Sequence, residues 1–548
     1  MKRLINKIIS LFLVIAITLM QVFITPIYAE ETIYALDEDS KSYYSISDAW
    51  KAALKGKKIT MECDWNLDSY LKVPEHNEYA VTIDMNGYKI SRNLNSAVQY
   101  GYVIEIGNSS SLVLTSSVNK IFSYTHRGNY NQNSIRSGGL ITGGYNKYSG
   151  GGIYVQAQAS LHLDNVAVAG NYSEEYGGGV YTENTICQVY MENGAQIIDN
   201  GANYGAGIYV AMKNTTISLD DASSISYNYA KKDGGGIYVN GTYSHIYLSN
   251  FSSINNNSAE NGGGIYYNYT YVTLKSNDNT GSISNNRARM GGGYGGAVYI
   301  CKNVFDESLD RIDNSGEISG IEFDNNSANK DGGAIYIHQE NFVISNCSIT
   351  NNLASDEGGG IYNNNDGTTI SNTIIKNNIS TSNGGGIFTS CYNDITLSGK
   401  VYITDNKRSD GSVDNLFLGY SSDVLKAYVM GSPKGEVGIR INKATTRKIG
   451  KTSTYFDESV FSFDLGGNYH IAYDSSSKEL NIVIGAPQET IKATEVSPVV
   501  KSTGKTYNDK DLIEGYFSFL SVDDSNMDSD SNFYYSDGYF GFLFRNWF

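Results

Sequence analysis

Nine times between residues 150 and 388 the chain repeats a glycine cluster followed by Ile or Val and then Tyr or Phe. The clusters are Gly150-Gly151-Gly152-Ile153-Tyr154, Gly177 to Tyr181, Gly205-Ala206-Gly207-Ile208-Tyr209, Gly234 to Tyr238 and Gly262 to Tyr266. Four more follow: Gly295-Gly296-Ala297-Val298-Tyr299, Gly332-Gly333-Ala334-Ile335-Tyr336, Gly358 to Tyr362 and Gly384 to Phe388. The aromatic returns after 27, 28, 29, 28, 33, 37, 26 and 26 residues. A period of this size marks a repeat architecture, in which each unit buries its apolar face only against its neighbours.

Each unit holds three short strand patterns. The first is the Ile-Tyr segment. The second alternates, as in Leu161-His162-Leu163, Val189-Tyr190-Met191 and Ile246-Tyr247-Leu248, which marks a strand with one buried face. The third ends on an apolar residue three places before an asparagine, as in Ile225 to Asn228, Ile283 to Asn286, Phe323 to Asn326, Ile349 to Asn352, Ile375 to Asn378 and Ile403 to Asn406. Three strands in about 27 residues, with no helical period between them, predict an all-β right-handed parallel β-helix, a β-solenoid of three strands per coil. Nine coils spaced by one strand separation give a rod of roughly 43 Å before its caps. Glycine suits a tight corner that stacks on itself. Asparagine tolerates left-handed backbone and can hydrogen-bond along the stack.

Strand alternation places Ile153 and Val155 on one side and Tyr154 on the other. With isoleucine inward, Tyr154, Tyr181, Tyr209, Tyr238, Tyr266, Tyr299, Tyr336 and Tyr362 are expected to form an exposed aromatic ladder, a candidate ligand platform. Two units are stretched, one by Met290 to Tyr294 before the sixth glycine cluster and the sixth by Phe305 to Ser319, and insertions in a solenoid leave as loops.

The organisation expected is a signal peptide over 1–29, an N-terminal cap with the first coils over 30–149, β-helix repeats over 150–412, a β-rich C-terminal cap over 413–485, and a linker with an aromatic tail over 486–548. The signal rests on Lys2, Arg3 and Lys7, the apolar run Ile8 to Phe23, and a small residue at Ala29 before Glu30. With the signal removed, no membrane-spanning segment is expected. In the N-terminal cap, Ser47 to Leu54 is expected to be a short capped helix. The protein is thus expected to be secreted or displayed at the cell surface.

The repeats resemble those of the polymorphic outer membrane protein family, whose marks are a GGA-[IVL] tetrapeptide and F-x-x-N. Phe323-Asp324-Asn325-Asn326 carries the second mark, and Gly332-Gly333-Ala334-Ile335 and Gly295 to Val298 carry the first. Elsewhere Gly replaces the Ala, and Ile usually replaces the Phe. The resemblance spans about residues 150 to 406. It implies a pectin-lyase-like parallel β-helix and a bacterial surface adhesin whose passenger precedes a membrane barrel. The stretch after residue 485 is too short and too polar for the strands of such a barrel.

Function is less constrained than fold. With 57 acidic against 41 basic residues the formal net charge is -16, which disfavours nucleic acid and anionic membrane as partners. Five scattered cysteines, Cys63, Cys187, Cys301, Cys347 and Cys391, form no CxxC pair and are expected mostly as buried apolar residues. No metal or cofactor is expected. The leading expectation is a non-catalytic, adhesin-like protein that binds a polysaccharide or cell-surface ligand, in an oligomeric state the sequence leaves open.

Two alternatives stand beside it. One is a polysaccharide lyase or glycoside hydrolase centred on the stretched sixth coil, where Asp310, Asp313, Glu317 and Glu322 could supply carboxylates and Arg287, Arg289 and Arg311 a base. The other is a spacer that displays the C-terminal tail. His162 and His245 are expected at equivalent, outward strand positions.

Overall fold

A computed structural model describes residues 32–485 except 133, 269–270, 290, 302–315, 391–392, 422–423, 426–427 and 452–456, together with two strands near the end of the chain. The signal segment, Cys391, Asp310, Arg311 and Asp313 lie outside the described residues. So does most of the aromatic tail, of which only the antiparallel strands Tyr534–Ser536 and Tyr539–Gly541 are described.

The expected right-handed solenoid class is met by a parallel β-solenoid of about 13 turns. The Ile-Tyr strands pair in register from coil to coil, Ile237 on Ile208 and on Ile265, Tyr238 on Tyr209 and on Tyr266. The alternating strands stack likewise, Leu161 on Leu112 and Val189. The third strands bring Ile254 between Ile225 and Ile283. These three faces enclose one continuous core, in which Ile208, Leu219, Ile225 and their counterparts are buried. Between the third face and the glycine corner the chain also makes a two-residue fourth strand, such as Tyr229–Ala230, stacked in a separate ten-stranded sheet. Its two-residue length carries no periodicity that sequence reading could detect.

The corners explain the repeat. The first glycine of each cluster sits in left-handed backbone. Gly262 has φ +57°, and a Cβ there would lie 2.3 Å from the Ile265 carbonyl oxygen. The third position does not take a positive φ, and Ala297 and Ala334 stand there in two coils. At the neighbouring corner the Asn-Asn pairs divide the work. Asn256, Asn285, Asn325, Asn351 and Asn377 take φ between 54° and 58°. The asparagine that follows each of them turns into the rod.

The coils run beyond the glycine repeats at both ends. Leu71–Val73 and Ile104–Ile106 precede Ile153–Val155 on the first face, and Leu416–Leu418 follows Ile387–Thr389. The twelve-residue strand Val429–Arg440 then adds a rung to all three faces. Arg447–Lys451 and Phe461–Phe463 still pair parallel to it, and Glu479–Ile484, antiparallel to Arg447–Lys451 and Tyr469–Asp474, closes the end. At the other end the helix is Ile46–Ala53, capped by Ser45 rather than starting at Ser47; the Ser45 hydroxyl accepts from the Asp48 amide at 3.1 Å. Its Ala49, Trp50 and Ala53 cover the first coil.

One excursion leaves the rod early. Lys120–Phe122 and Ile135–Ser137 pair antiparallel and carry an arm across the outside of the third face. Phe122 and Ile135 pack there on Leu140, Ala167, Ala169 and Ile198. Asp199, fully buried, holds the arm: its carboxylate accepts from Gly128 N at 2.9 Å and Tyr130 N at 3.1 Å, and lies 2.5 Å from His126 Nδ1.

The stretch Phe305 to Ser319 is not wholly an insertion. Gly316–Ser319 is the regular second-face strand of its coil, paired with Val272–Lys275 and Phe342–Ser345.

Candidate functional site

The eight tyrosines do form a ladder, but not an exposed one. Stacked rings run from Tyr181 through Tyr209, Tyr238, Tyr266, Tyr299, Tyr336 and Tyr362 to Phe388 and Phe417, with centroids 4.9 to 5.6 Å apart and planes within 18°. Tyr154 joins at 5.1 Å with a 30° tilt. Tyr209, Tyr238 and Tyr336 are only 7 to 8% exposed, and the others are part-buried. The strand separation is close to the thickness needed for ring contact, so each ring is sandwiched by those above and below it. Their faces, which a sugar ring would need, are therefore already covered. A second rank of tyrosines at the glycine corner, Tyr176, Tyr204 and Tyr294, packs against Tyr209, Tyr238 and Tyr336 at 4.7, 5.5 and 5.1 Å. Burial pushes the phenols of Tyr238, Tyr266 and Tyr299 well above their ordinary range. Stacked aromatics of this kind add roughly 0.5–1.5 kcal/mol per pair beyond area burial.

Beside the ladder, the residue just before the glycine cluster is a part-buried acid in three coils, Asp233, Asp331 and Glu357. Asp233 accepts from Asn261 Nδ2 at 2.8 Å. Asp331 accepts from Glu357 N at 3.1 Å, and Glu357 accepts from Asn383 Nδ2 at 2.9 Å. Burial lifts Asp233 and Asp331 to about 6 and Glu357 to about 7.

The sixth-coil candidates that the structure describes do not converge. Glu317 lies on the second face, its carboxylate 2.6 Å from Lys275 Nζ. Glu322 is exposed on the third face, between Ser282 and Ser348. Arg287 is exposed on the short fourth strand. Arg289 is spent on its neighbours: Nη1 donates to the Tyr229 hydroxyl at 2.9 Å, Nη2 to the Ala230 carbonyl at 2.6 Å, and the guanidinium stands 4.3 Å above the Tyr229 ring. His162 and His245 both face outward but are two residues out of register, since His162 stacks on Tyr190 and His245 on Thr216. Cys187 and Cys347 are buried, whereas Cys63 and Cys301 are part-exposed.

The polar arrangement with the greatest extent lies inside. Asn171, Asn200, Asn228, Asn257, Asn286, Asn326, Asn352, Asn378, Asn406 and Asn415 form one ladder. From Asn200 onward each Oδ1 accepts both the backbone N–H and the Nδ2 of the preceding asparagine in the column, as Asn257 does from Asn228 at 3.0 Å each. Up to Asn406 each Nδ2 also donates back to a carbonyl of an earlier coil, as Asn257 does to Ile225 at 2.9 Å. The last rung is closed by Asp464, which accepts from Asn415 N and Nδ2 at 2.7 and 3.0 Å. No amide in the column is left without a partner, which is how so polar a row survives in a buried corner.

Two stretches, residues 320–338 and 346–364, match the Chlamydia polymorphic membrane protein repeat. They span the Phe323-to-Asn326 mark and the Gly-Gly-Ala-Ile cluster, then the coil after it. No curated protein and no solved structure matches the chain. The chain carries β-helix repeats of the polymorphic membrane protein type.

Proposed function

We propose that the chain is a bacterial cell-surface rod of adhesin type, exported and non-catalytic, whose flanks meet a glycan or another cell-surface ligand. The observation that carries this reading is the unbroken stack of about 13 turns built on repeats of that type. Twelve inter-coil steps of about 4.8 Å give a stiff body of roughly 58 Å. Such a body suits holding a contact surface away from a cell envelope. Its aromatic and asparagine ladders serve the length of the rod.

Attachment and localisation test it together. Intact producing cells labelled with an antibody against the rod should stain. Beads coated with the full chain should also adhere to a target cell layer well above uncoated beads. Staining only after lysis, or bead adhesion equal to the control, would overturn the reading.

A second reading is favoured by the use of both ladders in packing between coils: the rod as a spacer for the C-terminal tail. Deleting residues 521–548 separates the two. Adhesion that survives the deletion belongs to the rod, and adhesion that disappears with it belongs to the tail.

A further inference from the structure

The arm on the third face does more than cover apolar surface. Between it and the rod lies a cleft of about 460 Å³, within the ~300–1,000 Å³ range of small-molecule sites. The rod side presents Lys89, Ser91, Asn93 and Thr142, and the arm side Tyr124 and Arg127. Among the described residues that line it there is no carboxylate. This is a local reversal in a chain with net charge -16. Low-dielectric walls of one sign focus the field of the charges they hold.

We infer that this cleft binds one anionic unit of a saccharide. The proposal rests on the surface-binding reading above and names a place for it. Arg127 has no acidic partner among the described residues. Its guanidinium stands 5.0 Å above the Tyr145 ring, and its Nη2 reaches the Leu94 carbonyl only at 3.5 Å. Planar N–H donors therefore remain for an anion, and the pairing of guanidinium with carboxylate or sulfate is among the stronger hydrogen bonds available. Lys89 contributes in part, because Asp64 lies 3.7 Å from its ammonium. The exposed amides of Asn93 and Asn95 can both donate and accept, which is what a polyhydroxylated ring requires, and the buried Ser91 hydroxyl braces Asn93 by donating to its Oδ1 at 2.7 Å.

The cleft is built rather than incidental. Gly170 has φ +64°, and a Cβ there would lie 2.4 Å from the Thr125 carbonyl and 2.5 Å from the Tyr124 ring. The arm thus rests on bare backbone. Asp199 fixes the arm just beyond Arg127 through His126, Gly128 and Tyr130. Any side chain at residue 170 would move the wall that carries Arg127.

The test is titration calorimetry of the full chain with three disaccharides: digalacturonate, a sulfated chondroitin disaccharide and neutral cellobiose. Sodium acetate and sodium sulfate serve as anion-only probes. At least one anionic disaccharide should bind with Kd below about 1 mM. Which of the two binds distinguishes a carboxylated from a sulfated ligand. Arg127→Ala should weaken that binding roughly tenfold or more, with the melting temperature unchanged. Gly170→Ala should weaken it without altering any charge.

Binding of cellobiose equal to that of the acidic sugars, equal binding by Arg127→Ala, or no binding at all would each overturn the inference. Acetate or sulfate binding as tightly as the disaccharides would overturn the saccharide half of it. Bead adhesion by the Arg127→Ala chain keeps the two readings apart, since adhesion that persists leaves the surface role standing while the cleft fails.

Discussion

At the scale of single residues, the inner asparagines and the corner acids are where chemistry and stability meet. Asn257 is fully buried and makes four hydrogen bonds along its column. Replacing it by Ala strands the Asn228 amides and the Ile225 carbonyl without water. Each orphaned buried group costs about 1–3 kcal/mol, so Asn257→Ala should destabilise the rod by roughly 3–5 kcal/mol in denaturant titration. Asn240→Ala, on an exposed asparagine, should cost less than about 0.5 kcal/mol. Equal costs would show that the ladder is geometry without energy.

The acids make an opposite kind of prediction. Glu357 titrates near 7 in the fold because burial disfavours its charge, with Asp331, Asp356 and Asp414 adding repulsion and Asn383 opposing it. Its folded value lies above its ordinary 4.5. The folded state therefore holds a proton that the unfolded chain has lost, and the stability this lends is complete below about pH 4.5 and gone once pH rises through 7. The rod should melt at a higher temperature at pH 5 than at pH 8. Glu357→Gln should reduce the difference, with Asp233 and Asp331 supplying part of what remains, and an unchanged slope would place the titration elsewhere. The Asn repeat was legible as a column because its spacing is regular. The acids were not, since Ser149, Tyr176 and Tyr204 hold the same position in earlier coils, and only burial reveals their altered charge.

Elements show how a correct pattern can still mislead about exposure. Alternation correctly assigned isoleucine inward and tyrosine outward. It could not show that an outward tyrosine, repeated at every strand separation, is covered by its own copies. The consequence can be measured. Tyr266 is held between Tyr238 and Tyr299, each 4.9 Å away. Tyr266→Ser should therefore lower stability by roughly 2–4 kcal/mol, as the loss of a packed aromatic does. A substitution that leaves the melting curve in place would return the ladder to the surface.

The arm was missed for a different reason. Its strands are three residues each, and its anchor, Asp199, lies some 70 positions away, where no local pattern points to it. Asp199→Gly removes all three anchoring contacts yet still accepts the φ of +57° found there. Local opening should then dominate proteolysis, and trypsin should cut after Arg127 roughly a hundredfold faster while the rod stays whole. Cleavage at the original rate would show that Phe122 and Ile135 alone hold the arm.

For the whole solenoid body, stability is a sum of nearly identical interfaces closed by two dissimilar ends. That view predicts which large changes are tolerated. Deleting residues 234–261 removes one entire coil. It joins Asp233 to Gly262, so that Ile265 stacks on Ile208, Tyr266 on Tyr209 and Asn286 Oδ1 accepts from Asn228 in the places that Ile237, Tyr238 and Asn257 held. Every ladder keeps its period. The shortened chain should fold cooperatively, with an unchanged circular dichroism spectrum and a rod shorter by about 4.8 Å.

A loss at the end should be worse. Truncation after residue 428 removes Val429–Arg440 and the antiparallel strands behind it. The edges of Ile395–Thr404 and Leu416–Leu418 would then be open on every face, and unpaired parallel strands recruit other chains. That variant should elute as aggregate from size-exclusion chromatography while the internal deletion elutes as the parent does. The reverse order would mean that coil identity, rather than end closure, decides whether the rod stands, because the internal deletion keeps both caps and the truncation keeps every repeat.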